Sequence, residues 1–444
     1  MLQYTLLVIL AIIIILGVRV WFRQRRVYPE GGVMLSGATA GGIIPKLWPF
    51  PAVVTSAFML AWATEVAQFF ISRGMAIAIL AFLEVLPEFS VEATITYHAV
   101  YDPDEWMPMV TANFTGANRL LVGLGIPLVF FLASYFHLKE RKRLLSGVHL
   151  EKEGSIEVIF LLLPTLYSFL IVAKGTLNLA DTLVLGGMYA IYLYILYHLP
   201  PEEEEEPPGI PGMVRKRSRG IQIGFMLCMF ILGGTILYLS IDPFVENTAE
   251  IAILLFGAGS TYFFFQWVAP LLSESPELLT VSYWVKRGKL SSGLLNVISS
   301  KINQWTLLIA MIPAIFTILS LIQFGGVREL HFDSHQRVEV LLTAAQSLFI
   351  SVCLLKMRVV AWEFITLFML WFIQLFDPVM DPALHDLGMV SIFGTGAYIR
   401  ELFILIYLSI AIADLIMYRK ELTVIKHLRE TIRLHVYTRG SRSR

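Results

Sequence analysis

"LEVLPEFSVEATI" (83–95) lies inside a long apolar run, yet it carries Glu84, Glu88 and Glu92 around Pro87. A second stretch, "LLSESPELLTVSY" (271–283), has the same character, with Glu274, Pro276 and Glu277. A proline inside a helix removes a backbone hydrogen bond and clashes with the preceding turn, freeing carbonyls that lipid cannot satisfy. An ionised side chain at mid-membrane is costly and is normally kept for an ion path. A glutamate beside a proline break therefore offers a carboxylate and loose carbonyls at one point. Those are the oxygen ligands that hard cations such as Ca²⁺ and Na⁺ prefer.

The surroundings of both stretches read as bilayer. The chain has 444 residues, 57% of them hydrophobic and only 15% charged, a composition of polytopic membrane proteins. A helix needs about 20 predominantly apolar residues to cross the hydrocarbon. Such runs fall at 3–22, 52–72, 75–99, 111–137, 156–173, 179–198, 221–256, 259–286, 292–322, 338–356, 359–376 and 397–418. The formal net charge is zero, so there is no bulk attraction to nucleic acid. Cys228 and Cys353 lie within apolar runs and read as small packing residues. The first segment lacks a basic start and a small-residue cleavage site, so it reads as a retained helix.

Basic residues collect on the cytoplasmic side of short loops. They occur in "HLKERKR" (137–143), "VRKRSR" (214–219), "VKRGK" (285–289), "LLKMR" (354–358) and the tail after Arg419, whereas "YDPDEW" (101–106) and "FDPVMDPALHD" (376–386) are acidic. Threading works if 221–256 crosses once, as a long helix broken near Asp242-Pro243. Five helices (52–198) then precede the central loop and five (221–376) follow it, with a last helix returning to a basic tail. Five is odd, so the halves begin on opposite sides, as an inverted repeat requires. One cluster resists: "RQRR" would sit outside, unless the Gly-rich stretch at 31–44 enters the membrane. The loop "PPEEEEEPPGIPGMVRKRSRG" (200–220), with five glutamates between prolines, is expected to be disordered and solvated.

The two opening stretches overlay with Pro87 on Pro276 and Glu88 on Glu277. Upstream, "ATEVAQFF" (63–70) answers "TAEIAILL" (248–255). Downstream, "TANFTGANRLLVGLGIP" (111–127) answers "LLNVISSKINQWTLLIAMIP" (294–313), so Asn113 meets Asn296 and Asn118 meets Lys301. The ordered correspondence reads as a duplication.

With these motifs in place, the sequence resembles the sodium/calcium (cation/proton) exchanger superfamily, whose two repeats carry Gly-Thr-Ser-x-Pro-Glu and then an Asn-rich motif. Here they read "LEVLPE" (83–88) with "ANFTGANRLL" (112–121), and "LSESPE" (272–277) with "LNVISSKINQ" (295–304). The resemblance implies an all-α polytopic membrane protein with ten core transmembrane helices in two inverted five-helix repeats, plus an extra helix at each end. The implied layout is 1–51 as N-terminal helix and Gly-rich connection, 52–199 as first repeat, 200–220 as cytoplasmic loop and 221–376 as second repeat. Residues 377–418 then form a connection and the last helix, and 419–444 a basic cytoplasmic tail. The implied ion site has Glu88 and Glu277 as central ligands, with neutral oxygens from Asn118, Ser273 and Ser300. Glu84 stands at the hydroxyl position of the first repeat. Two departures mark this chain: Lys301 and Leu121 replace asparagines. A lysine ammonium there would act as a tethered cation, lowering the need for a bound Na⁺ and favouring proton coupling.

Plainer readings accompany several residues. Glu92 lies towards the presumed outer end, where solvation explains it as well as ion entry does. Glu274 reads either as a contact or as pointing away, and Glu65 and Glu250 as relays or as solvated helix ends. "HFDSH" (331–335) has metal-ligand spacing but no wider ligand set. Trp21, Trp48, Trp106 and Trp371 suit an interfacial belt. No H-E-x-x-H, G-x-S-x-G or Walker loop occurs, so an enzyme is not expected. The expectation is a cation antiporter that moves Ca²⁺ or another cation against Na⁺ or H⁺, with no tightly bound cofactor. Its partners are inorganic cations and the lipid bilayer, with no nucleic acid. The alternative is a non-transporting cation-binding descendant. The expected location is a prokaryotic cytoplasmic membrane.

Overall fold

A computed structural model describes residues 43–67, 69–70, 86–141, 145–199, 209–257 and 260–433. In chain order the helices begin with α1 (Pro49–Ala67), α2 (Leu86–Tyr101) and α3 (Pro103–Leu120). A π-helical turn, Leu121–Gly125, carries α3 into α4 (Ile126–Arg141). Strand β1 (Gly147–His149), α5 (Ser155–Lys174), strand β2 (Thr176–Leu177) and α6 (Leu179–His198) complete the first half. The second half opens with α7 (Gly209–Arg215), α8 (Arg219–Phe256) and α9 (Ser260–Phe263). A second π turn, Phe264–Val268, leads to α10 (Ala269–Ser273), and α11 (Ser275–Lys286) follows. Helix α12 (Leu290–Asn303) passes through a third π turn, Gln304–Leu308, into α13 (Ile309–Phe324). Strand β3 (Leu330–His331), α14 (Ser334–Leu354), strand β4 (Arg358–Val360), α15 (Ala361–Gln374), α16 (Asp377–Asp386), α17 (Tyr398–Met417) and α18 (Val424–Ile432) end the described chain.

Among the described residues, seven helices are long and apolar enough to cross a membrane, or eight if α15 and α16, bent by 73°, form one broken span. The run at 3–22, and residues 75–85 of the run at 75–99, lie outside the described residues. The run at 397–418 is helical, as α17, yet it carries buried Glu401 and Asp414 and is not among those candidate spans. Helix α8 shows 17% burial in its most apolar window and α14 shows 83%, so α8 turns its apolar surface outward while α14 is enclosed. Apolar side chains that stay exposed on long helices, such as Leu183, Tyr238 and Ile322, are the lipid-facing surface of a membrane protein.

Two sequence expectations are corrected here. Helix α8 runs unbroken through Pro243, so no break divides it at Asp242-Pro243. The 200–220 loop is not wholly irregular: α7 is helical, packs on α1 and buries Pro211 and Val214.

The chain forms two compact units, Met1–Ile95 with Glu204–Pro276, and Thr96–Glu203 with Glu277–Arg444. In the first, α1 packs along α8. Lys46 pairs with Glu250, and Asn247 Nδ2 donates to the Lys46 carbonyl at 2.9 Å.

The second unit is organised around α5 and α14. Strand β1, before α5, pairs antiparallel with β4, after α14; β2, after α5, pairs with β3, before α14. The start of each helix is thus fastened to the end of the other, and the two helices pack against each other antiparallel. The neighbours obey the same exchange: α3 packs on α14 and α12 on α5, while α6 packs on α13 and α15 on α4. Local sequence fixes the ends of these helices. Gly175 and Gly325 stop α5 and α13 with positive φ of 67° and 69°. Asn178 with Asp181, and Asp333 with Gln336, form capping boxes that start α6 and α14.

Candidate ion-binding site

Helix α2 carries Glu88, one residue after Pro87. Glu88 is buried, and so is Glu92 one turn on, so the two share a face of α2. The solvated reading of Glu92 is therefore overturned, and this residue joins the candidates. Glu84 lies outside the described residues. In the second stretch, α10 ends at Ser273 and α11 begins at Ser275, with Glu274 between them. The break falls just before Pro276, as proline requires of its neighbours. Ser273 Oγ donates to its own helix, at Ala269 O (3.3 Å) and Pro270 O (3.2 Å), which leaves its lone pairs as acceptors. Glu274 is buried, and Glu277 sits half-buried in the first turn of α11. Glu88, Glu92, Ser273 and Glu274 belong to the first unit; Glu277, Asn118, Ser300 and Lys301 belong to the second.

Within the second unit, Asn118 and Lys301 come together. Asn118 Nδ2 donates to Phe114 O on its own helix at 2.7 Å, which fixes where its oxygen points. Lys301 Nζ donates to that Oδ1 at 2.7 Å and to Asn118 O at 3.3 Å. The ammonium also lies 4.2 Å from the centroid of the Trp305 ring, a cation–π contact. Both Asn118 and Lys301 are fully enclosed, while Ser300, one residue back, is half-buried. A buried ammonium is tolerated only with such partners. One π turn begins three residues after Asn118, at Leu121, and another three after Lys301, at Gln304. Such turns disturb the helical hydrogen-bond ladder and concentrate at functional positions. Gly123, inside the first of them, has no room for a Cβ, since Trp371 side-chain atoms would lie 2.1–2.4 Å away. Trp371 is therefore a packing residue, and Trp48 is buried as well, so neither belongs to an interfacial belt.

Three charge clusters, two of them buried, were not foreseen from sequence. Arg119, beside Asn118, meets Glu339 of α14 at 2.7 Å; Glu339 also pairs with Arg400 of α17, whose Nε is 2.6 Å from Asp377 of α16. The acidic stretch 376–386 is thus largely a helix, α16, whose first aspartate is buried. The other two clusters share one arrangement. Lys174 pairs with Asp181, and Lys356 pairs with Glu363, each seven residues on and each carboxylate accepting a backbone N–H at 2.8 Å. In the second copy Asp414 adds its carboxylate to Lys356, at 3.1 Å. Cys353 lies close enough to Glu363 and Asp414 for the three to hold a metal, but the Lys356 ammonium already bonds both carboxylates. Matching lysine and acid spacings, K-x₆-D and K-x₆-E, were the sequence signal for this pair.

Other candidates have structural duties. Asp333 caps α14, accepting from Gln336 N at 2.8 Å, so "HFDSH" is a helix start. His98 stacks on Trp106 with ring centroids 4.5 Å apart. Cys353 is a buried packing residue as expected, whereas Cys228 is exposed on α8.

Comparison with known proteins supplies the context for this geometry. The family described as "Sodium/calcium exchanger protein" matches residues 50–198 and 225–377. A crystal structure of an H⁺/Ca²⁺ exchanger, CAX, is similar with a TM-score of 0.77 and 32% identity, covering 97% of this chain and 98% of that one. Structures of the sodium-calcium exchanger NCX_Mj align at 18% identity over 75% of this chain and 96% of theirs, with a TM-score of 0.46. No curated protein matches the chain.

Proposed function

The chain belongs to the sodium/calcium exchanger family, a family of transporters and not of enzymes, and on that basis we propose that it is an integral membrane antiporter exchanging Ca²⁺ for H⁺ by alternating access. The observation that carries the proton half of this reading is Lys301, whose buried ammonium engages the amide oxygen that would otherwise face a monovalent ion. A fixed positive charge there takes the place of a bound Na⁺. The 32% identity to an H⁺/Ca²⁺ exchanger over nearly the whole chain supports the same choice.

In this reading Glu88 and Glu277 are the central carboxylates, with Glu84, Ser273, Ser300 and Asn118 around them and Lys301 as the tethered cation. Glu92 adds a further enclosed carboxylate on the face of Glu88. Residues 52–199 and 221–376 are the two inverted copies, ten core helices in all, with 200–220 joining them. Residues 1–51, 377–418 and 419–444 are additions outside the copies. The exchanged strands, the twin π turns and the twin lysine latches support the duplication. A carboxylate beside a helix break, as Glu277 is after the break at Glu274, suits a carrier that works by alternating access.

The test is Ca²⁺ uptake into proteoliposomes with an imposed pH gradient, an imposed Na⁺ gradient or neither. Uptake driven by the pH gradient and abolished by Glu277→Gln is the expected result. Uptake that follows only the Na⁺ gradient overturns the choice of proton. A second reading, a cation-binding protein that does not transport, is favoured by Lys301 already occupying part of the polar interior. Ca²⁺ binding without flux under any gradient would establish it.

A further inference from the structure

Helix α18 follows α17 after a short turn and is amphipathic along its length. Val424 and Thr431 are buried, holding one side of the helix on the protein. Ile425 is 64% exposed, and with Leu428 and Ile432 it forms an apolar strip beside that seam. Arg429 and Arg433 line the same shallow groove as the three apolar residues, and Lys426 lies exposed on the next face.

The level of this helix in the membrane follows from its neighbours. Helix α17 keeps exposed apolar side chains up to Ile416 and Met417, and exposed Arg419 and Lys420 come directly after. That change from hydrocarbon-facing to basic side chains marks a cytoplasmic boundary. Helix α18 begins four residues beyond, and packs against α5 and the turn Lys152–Gly154 that precedes it. Thr423 N and Val424 N both donate to Leu355 O at 3.2 Å, tying α18 to the turn between α14 and β4. The helix is therefore held at the rim of the spanning bundle, with an apolar strip and basic side chains together.

We propose that α18 is an interfacial anchor whose Ile425, Leu428 and Ile432 enter the cytoplasmic leaflet while Lys426, Arg429 and Arg433 bind anionic phospholipid headgroups. A short amphipathic helix with Lys or Arg on its polar flank lies in the interface plane, and anionic lipid adds to the apolar contribution. The charge complementarity selects the partner: every exposed ionisable side chain on this flank is basic, while the single acid of α18, Glu430, faces Lys152 at 3.7 Å. The tail beyond carries Arg439, Arg442 and Arg444, adding charge of the same sign.

The experiment uses the full chain with Cys228→Ser and Ile425→Cys, labelled at position 425 with a polarity-sensitive fluorophore, in vesicles of phosphatidylcholine alone or with phosphatidylglycerol. Protection from a water-soluble quencher should be strong with phosphatidylglycerol, weak without it, and reduced at about 1 M salt, where the screening length is about 3 Å. Replacing Lys426, Arg429 and Arg433 together by Gln should weaken the lipid-dependent protection by roughly two orders of magnitude in apparent affinity. These residues are exposed, so the fold is not at stake. Equal protection in both vesicles overturns the proposal. So does exposure of position 425 on removal of 434–444 alone, which would make the tail the cover.

Discussion

At the scale of single residues, the decisive feature is an ammonium inside a membrane protein that bonds an amide oxygen. Lys301→Met removes the donor and leaves Asn118 Oδ1 enclosed without that proton, at a cost of about 1–3 kcal/mol. The melting temperature in detergent should fall accordingly. Lys301→Asn restores a neutral polar group and should instead alter the pH dependence of uptake or admit Na⁺. An unchanged pH profile and ion requirement would remove Lys301 from the mechanism. How far these residues were readable varies. Sequence overlay set Asn118 and Lys301 at equivalent positions, each at the same offset from an asparagine, but equivalence in a repeat does not foretell the contact between them. Glu92 was left open between solvation and ion entry because distance along a helix from a presumed membrane surface does not report what covers that turn. Arg119, Glu339, Arg400 and Asp377 were missed because each looks ordinary alone. Only packing of four separate helices makes them one network. Losing one member of such a buried chain is costly, since the remaining charges lose their compensation.

At the scale of elements, apolar run length located nearly every described helix, because the bilayer leaves the backbone few alternatives. Breaks were harder to place. Pro276 does mark one, but Pro243 sits inside a continuous helix of 38 residues. A proline tells where a hydrogen bond is missing, and the surrounding packing decides whether the axis bends. The π turns left no readable signature beyond glycines in one of the three. Gly123→Ala is the sharpest probe of them: its Cβ would overlap Trp371 near that residue's own backbone, where little can yield. A loss of at least about 1–3 kcal/mol in unfolding experiments is expected. Gly234→Ala in α8, with open space around it, should be neutral or stabilising by up to about 1 kcal/mol. Equal effects of the two would show that Trp371 does not hold the π turn.

At the scale of the whole molecule, the odd count of five helices on each side of the central loop pointed to inversion, and composition alone placed the chain in a membrane. The latches at the α5–α6 and α14–α15 junctions, Lys174 with Asp181 and Lys356 with Glu363, lay outside the aligned motifs, so the sequence comparison passed over them. Their environments differ: the Lys356 side chain is 1% exposed and the Lys174 side chain 28%, so only the Lys356 pair is dry. The strand pairs have the largest consequence. Each joins a residue stretch from before position 200 to one from after position 320, so neither half of the polypeptide can close a pair by itself. Covalent continuity through 200–208 is then dispensable for recognition between the halves. Genes for 1–203 and 204–444, expressed together, should yield two polypeptides that co-purify through an affinity handle on either one, whereas each expressed singly should be degraded.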